Sequence, residues 1–228
     1  MTHCACRRRT LGPAAAAFAL ASVLGLAACG GALFQSKVPP PAVYQLTVKS
    51  AAAPGALSSV AEIPADLSIL RPRVRTGLDN DRIAALYPDR RLDYLAGARW
   101  SGPLDEVLQD LALQAFRARA NLRSVHAEQS AFAGGYLLTM DVVDFQAEYS
   151  ADAGGADAPT VHVRLLASLG GARDRRMIGR FEAEARRPAA ANRVAAIVEA
   201  YDQAVAEALA HIVEDSVSAL NASLAKPR

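Results

Sequence analysis

Cys4, Cys6 and Cys29 are the only thiols of the 228-residue chain, and His3, His126, His162 and His211 its only imidazoles. A nucleophile, a proton carrier or a soft metal ligand must come from these or from oxygens that folding brings together. Cys4-Ala5-Cys6 has no second ligand pair nearby and does not read as a metal site. The three later histidines fall on a loop, a strand and a helix by pattern. Ordinary surface or internally satisfied histidines are the preferred reading, with a site assembled only in space left open. Asp141 and Asp144 come nearest to a carboxylate pair, but residues three apart on a regular strand point to opposite faces. They form no dyad unless a bulge intervenes, and solvated strand-end acids are the plainer reading. Arg71, Arg73 and Arg75 alternate with Pro72 and Val74, so a strand would place three guanidiniums on one face. That stripe suits acidic lipid head groups or an acidic partner, although a solvated face is the commoner use. Trp100, the only tryptophan, directly precedes a helix and reads as a core plug rather than a ligand platform. The sequence contains no nucleophile elbow, phosphate-binding Gly-x4-Gly-Lys loop, dinucleotide fingerprint or His-Glu-x-x-His. Motif-bearing hydrolase and nucleotide-dependent functions lose most of their support, and no cofactor is expected.

The remaining chemistry concerns Cys29. Arg7, Arg8 and Arg9 form a positive segment, followed from Leu11 by an apolar run with no charge before Lys37, the layout of an export signal. The stretch Ala14 to Ala28 is too short for the roughly 20 residues that a membrane-crossing helix needs. It ends in Leu26-Ala27-Ala28-Cys29, which resembles the bacterial lipobox, whose thiol takes a diacylglyceryl group after export. The competing reading is a plain cleaved signal with an accidental cysteine. Residues 1–28 therefore read as a signal peptide and 29–42 as a lipidated cysteine with a tether, in which Pro39-Pro40-Pro41 favours an extended chain. Cys29 would be the sole cysteine of the mature chain, with no disulfide partner. Gly30 stands where lipoproteins retained at the inner membrane often carry aspartate, so the resemblance favours the periplasmic face of the outer membrane. Removing residues 1–28 leaves 22 of the 25 basic residues against 23 acids, a net charge of −1, which offers nucleic acid no attraction.

The elements that would position these residues occupy 43–228, which has no internal repeat or composition break and reads as one domain. Val43 to Val48 alternates as a first strand, and Ala51 to Ala56 reads as a loop. Extended segments follow at about Ser59 to Ile63 and Leu67 to Arg75, with Pro64 and Pro72 pushing them towards edges or bulges. Asp79 to Leu95 fits short strands around a turn at Pro88-Asp89. A helix follows Trp100, with Ser101 as N-cap, Asp105 and Glu106 set against the dipole, and Leu104, Val107, Leu108, Leu111, Ala115 and Phe116 on its buried face. Asn121 ends it. Tyr136 to Tyr149, Val161 to Leu166 and Met177 to Ala185 read as an antiparallel meander, turning at Gly154-Gly155 and Gly170-Gly171. A helix from about Ala190 to Leu220 closes the chain. The expected fold is α/β, a mixed and largely antiparallel sheet packed by the helix after Trp100 and by the long C-terminal helix.

Tyr44-x-Leu46 on the first strand, Arg71-Pro72, and Leu92-Asp93-Tyr94-x-x-Gly97-Ala98-Arg99-Trp100 running into Pro103-Leu104 resemble the ABC-type transport auxiliary lipoproteins, the PqiC-like partners of MCE-type lipid transport systems. The resemblance covers most of the mature chain. It implies a non-enzymatic, lipid-anchored outer-membrane component that works beside an MCE-domain substrate-binding protein, an ABC permease and an ATPase. That complex moves phospholipid or other hydrophobic molecules across the envelope. The resemblance leaves homo-oligomerisation open. Two other readings compete with it: a generic envelope scaffold, and a periplasmic enzyme with a spatially assembled site.

Overall fold

The computed structural model describes residues 39–48, 61–128, 130, 134–150 and 157–225. Cys29, the signal segment, the Ala51–Ala56 loop and the Gly154-Gly155 turn lie outside the described residues. Pro41–Arg228 forms one compact unit, to which every element below belongs. In chain order these are β1 Ala42–Tyr44, β2 Ile63–Ile69, β3 Arg73–Val74, β4 Arg82–Leu86, β5 Leu92–Trp100, α1 Leu104–Arg119, β6 Leu122–Ala127, β7 Tyr136–Glu148, β8 Thr160–Gly171, β9 Met177–Pro188 and α2 Val194–Leu224. The strands form one mixed sheet of nine, packed by the two helices as the patterning predicts.

The 13-residue strand β7 is the seam of this sheet. Along one edge it pairs antiparallel with β8, which in turn pairs with β9. Its other edge is shared by three short strands, β2, β3 and β4, all parallel to it. Pro72 lies between β2 and β3. It has no N–H to give to a ladder, so the segment expected to run unbroken from Leu67 to Arg75 is divided there. Pro64 sits where β2 shifts register against β6, between Ile63 and Asp66, a bulge of the kind its missing donor calls for.

β7 holds a second irregularity. Its register against β8 passes from Val142↔Leu165 to Asp144↔Arg164, so Val143 is an extra residue. A bulge of this kind resets the alternation. Leu138, Met140 and Val142 before it, and Phe145 and Ala147 after it, all point into the core. Asp141 and Asp144 consequently fall on the same outer face, the exception that the spacing rule allowed.

The core lies between the sheet and the helices. Val161, Val163, Leu165, Ala167 and Leu169 of β8 are buried beneath α2, whose Ala204, Val205, Ala208, Leu209 and Ile212 face them. On β9 the small Ala183 and Ala185 are the buried positions. α1 buries Leu104, Leu108, Leu111, Ala115 and Phe116, while Val107, assigned to the same face by periodicity, is only half-buried.

Several boundaries differ from expectation: β2 runs unbroken from Ile63 to Ile69, β8 continues past Leu166 to Gly171 and β9 past Ala185 to Pro188, and three further ends have a local cause. The first strand stops at Tyr44 because Thr47 turns towards α2, where its N–H and Oγ1 bond to the Asp202 carboxylate at 2.8 and 3.2 Å. Ser101 does not cap α1. Pro103 is the N-cap, without a side-chain bond, and the Leu104 N–H donates instead to the Asn80 carbonyl at 3.2 Å. The long helix begins at Val194 rather than Ala190, since the Ala189 N–H still donates to Pro159 O and extends the sheet.

Candidate functional site

The outer faces of β7, β8 and β9 bring together charges that are far apart in sequence. Cross-strand register places Asp144 opposite Arg164, which lies opposite Glu184, and Gln146 opposite His162, which lies opposite Arg186. Residues opposite one another in a ladder are within reach of each other's side chains. Arg164 donates to Asp144 at 2.7 Å and reaches Glu182 at 3.5 Å. His162, buried together with Gln146 opposite it, lies with Nδ1 2.8 Å from Glu148 and Nε2 2.9 Å from Glu184. Arg186 closes the group, 2.7 Å from Glu148 and 3.1 Å from Glu184. The amide of Gln146 donates to both Asp144 and Glu148.

The predicted stripe adjoins this network. Arg71 donates to Asp105 and Glu106 in the first turn of α1, at 3.2 and 3.0 Å. Arg73 holds Asp141 through two nitrogens, at 2.6 and 3.0 Å. Arg75 reaches the Val143 carbonyl at 3.5 Å and Asp144 at 3.8 Å. All three side chains keep solvent contact, up to 81% for Arg73. Pairs this exposed are screened by water and salt and add little to stability, so their main effect is to neutralise the stripe. The bulge at Val143 is what turns Asp144 towards it.

Trp100 lies elsewhere. It is buried to 2% exposure at the end of β5, edge-on to Tyr201 of α2 with centroids 5.1 Å apart and to Phe145 of β7 at 6.2 Å. His126 is on β6 rather than in a loop, and His211 is exposed on α2. Among the described residues the three histidines lie on separate elements, His126 on β6, His162 on β8 and His211 on α2. Among the described residues no group of three or more His, Cys, Asp or Glu side chains could hold a metal ion. No described helix is long and apolar enough to cross a membrane.

Sequence reading missed the arrangement around His162. The sequence carries no local signal for it, because placing His162 between Gln146 and Arg186 needs the register of two separate hairpins, each with a register shift. Chemically the group is a closed set of ion pairs: the imidazole's neighbours are Glu148, Glu184 and Arg186, and both carboxylates also pair with Arg186.

The carboxylates of the face respond to their partners. Burial works to raise Asp144, and hydrogen bonds from Arg164 and Gln146 outweigh it, leaving the carboxyl below its ordinary value. Glu148 is likewise lowered, burial being outweighed by bonds from His162, Gln146 and Arg186. At the β2–β6 edge the Arg123 hydrogen bond, with that of Ser124, holds Asp66 down at about 2. A carboxyl lowered in the folded state adds stability above its unfolded pKa and loses it as pH falls through the folded value. The melting temperature should therefore fall as the medium is acidified below about pH 4, where unfolded carboxylates titrate, with loss continuing towards the Asp66 value of about 2. Arg123→Ala should reduce that dependence. A melting temperature constant across this interval in differential scanning calorimetry would contradict the assignment.

The model of the family described as ABC-type transport auxiliary lipoprotein component matches residues 44–213. The crystal structure of protein XCC0632 from Xanthomonas campestris superposes with a TM-score of 0.69 at 22% identity, covering 81% of this chain and all of that one. A second crystal structure, of an uncharacterized protein, gives a TM-score of 0.57 at 16% identity over 78% of this chain and 99% of the other. At such identities the likeness is one of fold. A comparison with curated protein sequences gives no significant match.

Proposed function

This chain belongs to the ABC-type transport auxiliary lipoprotein family, and from that premise we propose that it is the non-enzymatic, outer-membrane-anchored component of an MCE-type system moving lipids or other hydrophobic molecules across the envelope. The observation that carries this reading is the extent of the family match, from β1 through most of α2, over a chain whose Leu26-Ala27-Ala28-Cys29 supplies an anchor. The sequence carries no phosphate-binding loop, which supports a division in which ATP hydrolysis belongs to another subunit. The ion-paired face around His162 supports a binding role, since its titratable groups are occupied with one another. Arg71, Arg73 and Arg75 would lie in the contact with the MCE-domain protein as compensated, hydrogen-bonding side chains that fix orientation more than they attract.

Affinity purification of the full-length chain from detergent-solubilised membranes tests the reading. It should recover an MCE-domain protein together with a permease and an ATPase, identified by mass spectrometry. Recovery of envelope proteins without any of these would favour a generic scaffold.

A further inference from the structure

The turn between β8 and β9 is the counterpart of the compensated stripe. It runs Gly171-Ala172-Arg173-Asp174-Arg175-Arg176, followed by Met177 and, on β9, by Arg180. Residues 173–177 and Arg180 are exposed, Met177 to 53%. Among the described residues no carboxylate pairs with the guanidinium of Arg173, Arg175, Arg176 or Arg180, whereas every arginine of the predicted stripe has one. The single acid of the turn is engaged by backbone: Asp174 Oδ1 accepts the Arg176 N–H at 3.1 Å. Its carboxylate lies against Gly171, where a Cβ would collide with it. The Gly171 N–H donates to Arg176 O at 3.0 Å and the Ala172 N–H to Gly135 O at 2.9 Å, so the turn is tied to its own base and to the neighbouring loop. Arg175 holds a left-handed φ of 52° within it. The outcome is a braced loop presenting three cationic side chains, with Arg180 a fourth on the adjoining strand, none of them paired with a described carboxylate.

We infer that this turn is the electrostatic contact through which the chain captures an acidic surface on a partner protein, which, on the function proposed above, is a component of its transport system. Each guanidinium offers a planar fork that pairs a carboxylate through two bonds. Arg173, Arg175 and Arg176 fall within four consecutive residues of one turn, a span comparable with the screening length of about 8 Å at physiological salt, so a partner meets these three as one field. Arginine and methionine are residue types enriched in protein interfaces, and Met177 supplies an apolar contact at the foot of the cluster. A bilayer fits less well, because interfacial segments carry a row of large apolar side chains beside their basic ones, and among the described residues of this turn Met177 is the only large apolar one exposed.

The test uses purified full-length chain and purified MCE-domain component, with association rates measured across a salt series. Arg173→Glu/Arg175→Glu/Arg176→Glu should lower the association rate about tenfold or more at low salt, converging on wild type as salt rises. The corresponding triple change to Lys should retain most of the rate, which with an unchanged circular dichroism spectrum separates charge from folding. Wild-type rates for the Glu variant at every salt concentration would overturn the assignment of the turn while leaving the proposed function standing. Vesicles of phosphatidylethanolamine and phosphatidylglycerol that retain wild type but not the Glu variant, with protein association unaltered, would overturn it in favour of a lipid contact. Failure of the folded wild-type chain to associate with the MCE-domain component at all would instead remove the proposed function, and the turn's role with it.

Discussion

Replacing Trp100 by alanine is expected to cost about 3 to 5 kcal/mol of stability, the range for truncating a buried aromatic. The indole joins three elements: its own strand β5, Phe145 of β7 and Tyr201 of α2, with the last two rings stacked at 5.0 Å. Tyr201 adds a hydrogen bond of 3.2 Å from its buried hydroxyl to the Ala84 carbonyl of β4. Removing the indole leaves a void where the long helix meets the seam strand, and neither neighbour can fill it without leaving its own contacts. Against a typical domain stability of about 5 to 15 kcal/mol the loss is large, and at this size it corresponds to roughly 6 to 20 °C in melting temperature. Trp100→Phe should recover part of it. Thermal unfolding followed by circular dichroism decides the matter, and a Trp100→Ala protein that melts like wild type but no longer binds its partner would identify the residue as an interface anchor.

Cys29→Ser is expected to abolish incorporation of labelled palmitate and to release the domain from the membrane or leave it as precursor. The expectation rests on the thiol as acceptor of the diacylglyceryl group, which carries the acyl chains, at the end of the uncharged run from Leu11 to Ala28. A buried methylene contributes roughly 0.8 kcal/mol, so one acyl chain binds reversibly whereas two or more hold the protein in place. A serine in that position offers no thioether to carry them. Labelling of the serine variant at wild-type level would show that the anchor lies elsewhere.

The meander and the long helix were legible because their signals are local. Gly170-Gly171 ends β8 just before its turn rather than forming the turn, Val161-His162-Val163 alternates, and Val194 to Val213 keeps a single stripe. The resemblance around Arg99-Trp100 led to the family for a similar reason, since those residues are contiguous. The bulge at Val143 was not legible: one extra residue in a strand leaves no mark in composition, yet it decides that Asp141 and Asp144 share a face. Compensation of Arg71, Arg73 and Arg75 was hidden as well, because their carboxylates arrive from α1 and β7, elements remote in sequence. Pattern alone could place the three arginines in line, but only tertiary structure could show that they are neutralised. Ser101 failed as a cap for a related reason, a distant carbonyl at Asn80 having taken the helix's first N–H.

The central claim is that the chain holds a transport component at the outer membrane. The most direct measurement follows the MCE-domain protein through density-gradient separation of inner and outer membranes, in cells carrying the wild-type chain or Cys29→Ser. With wild type, part of the MCE-domain protein should sediment with the outer membrane and co-purify with the chain. With Cys29→Ser, that portion should move to the inner-membrane fraction. An MCE-domain protein distributed identically in both strains, with none bound to the wild-type chain, would contradict the account.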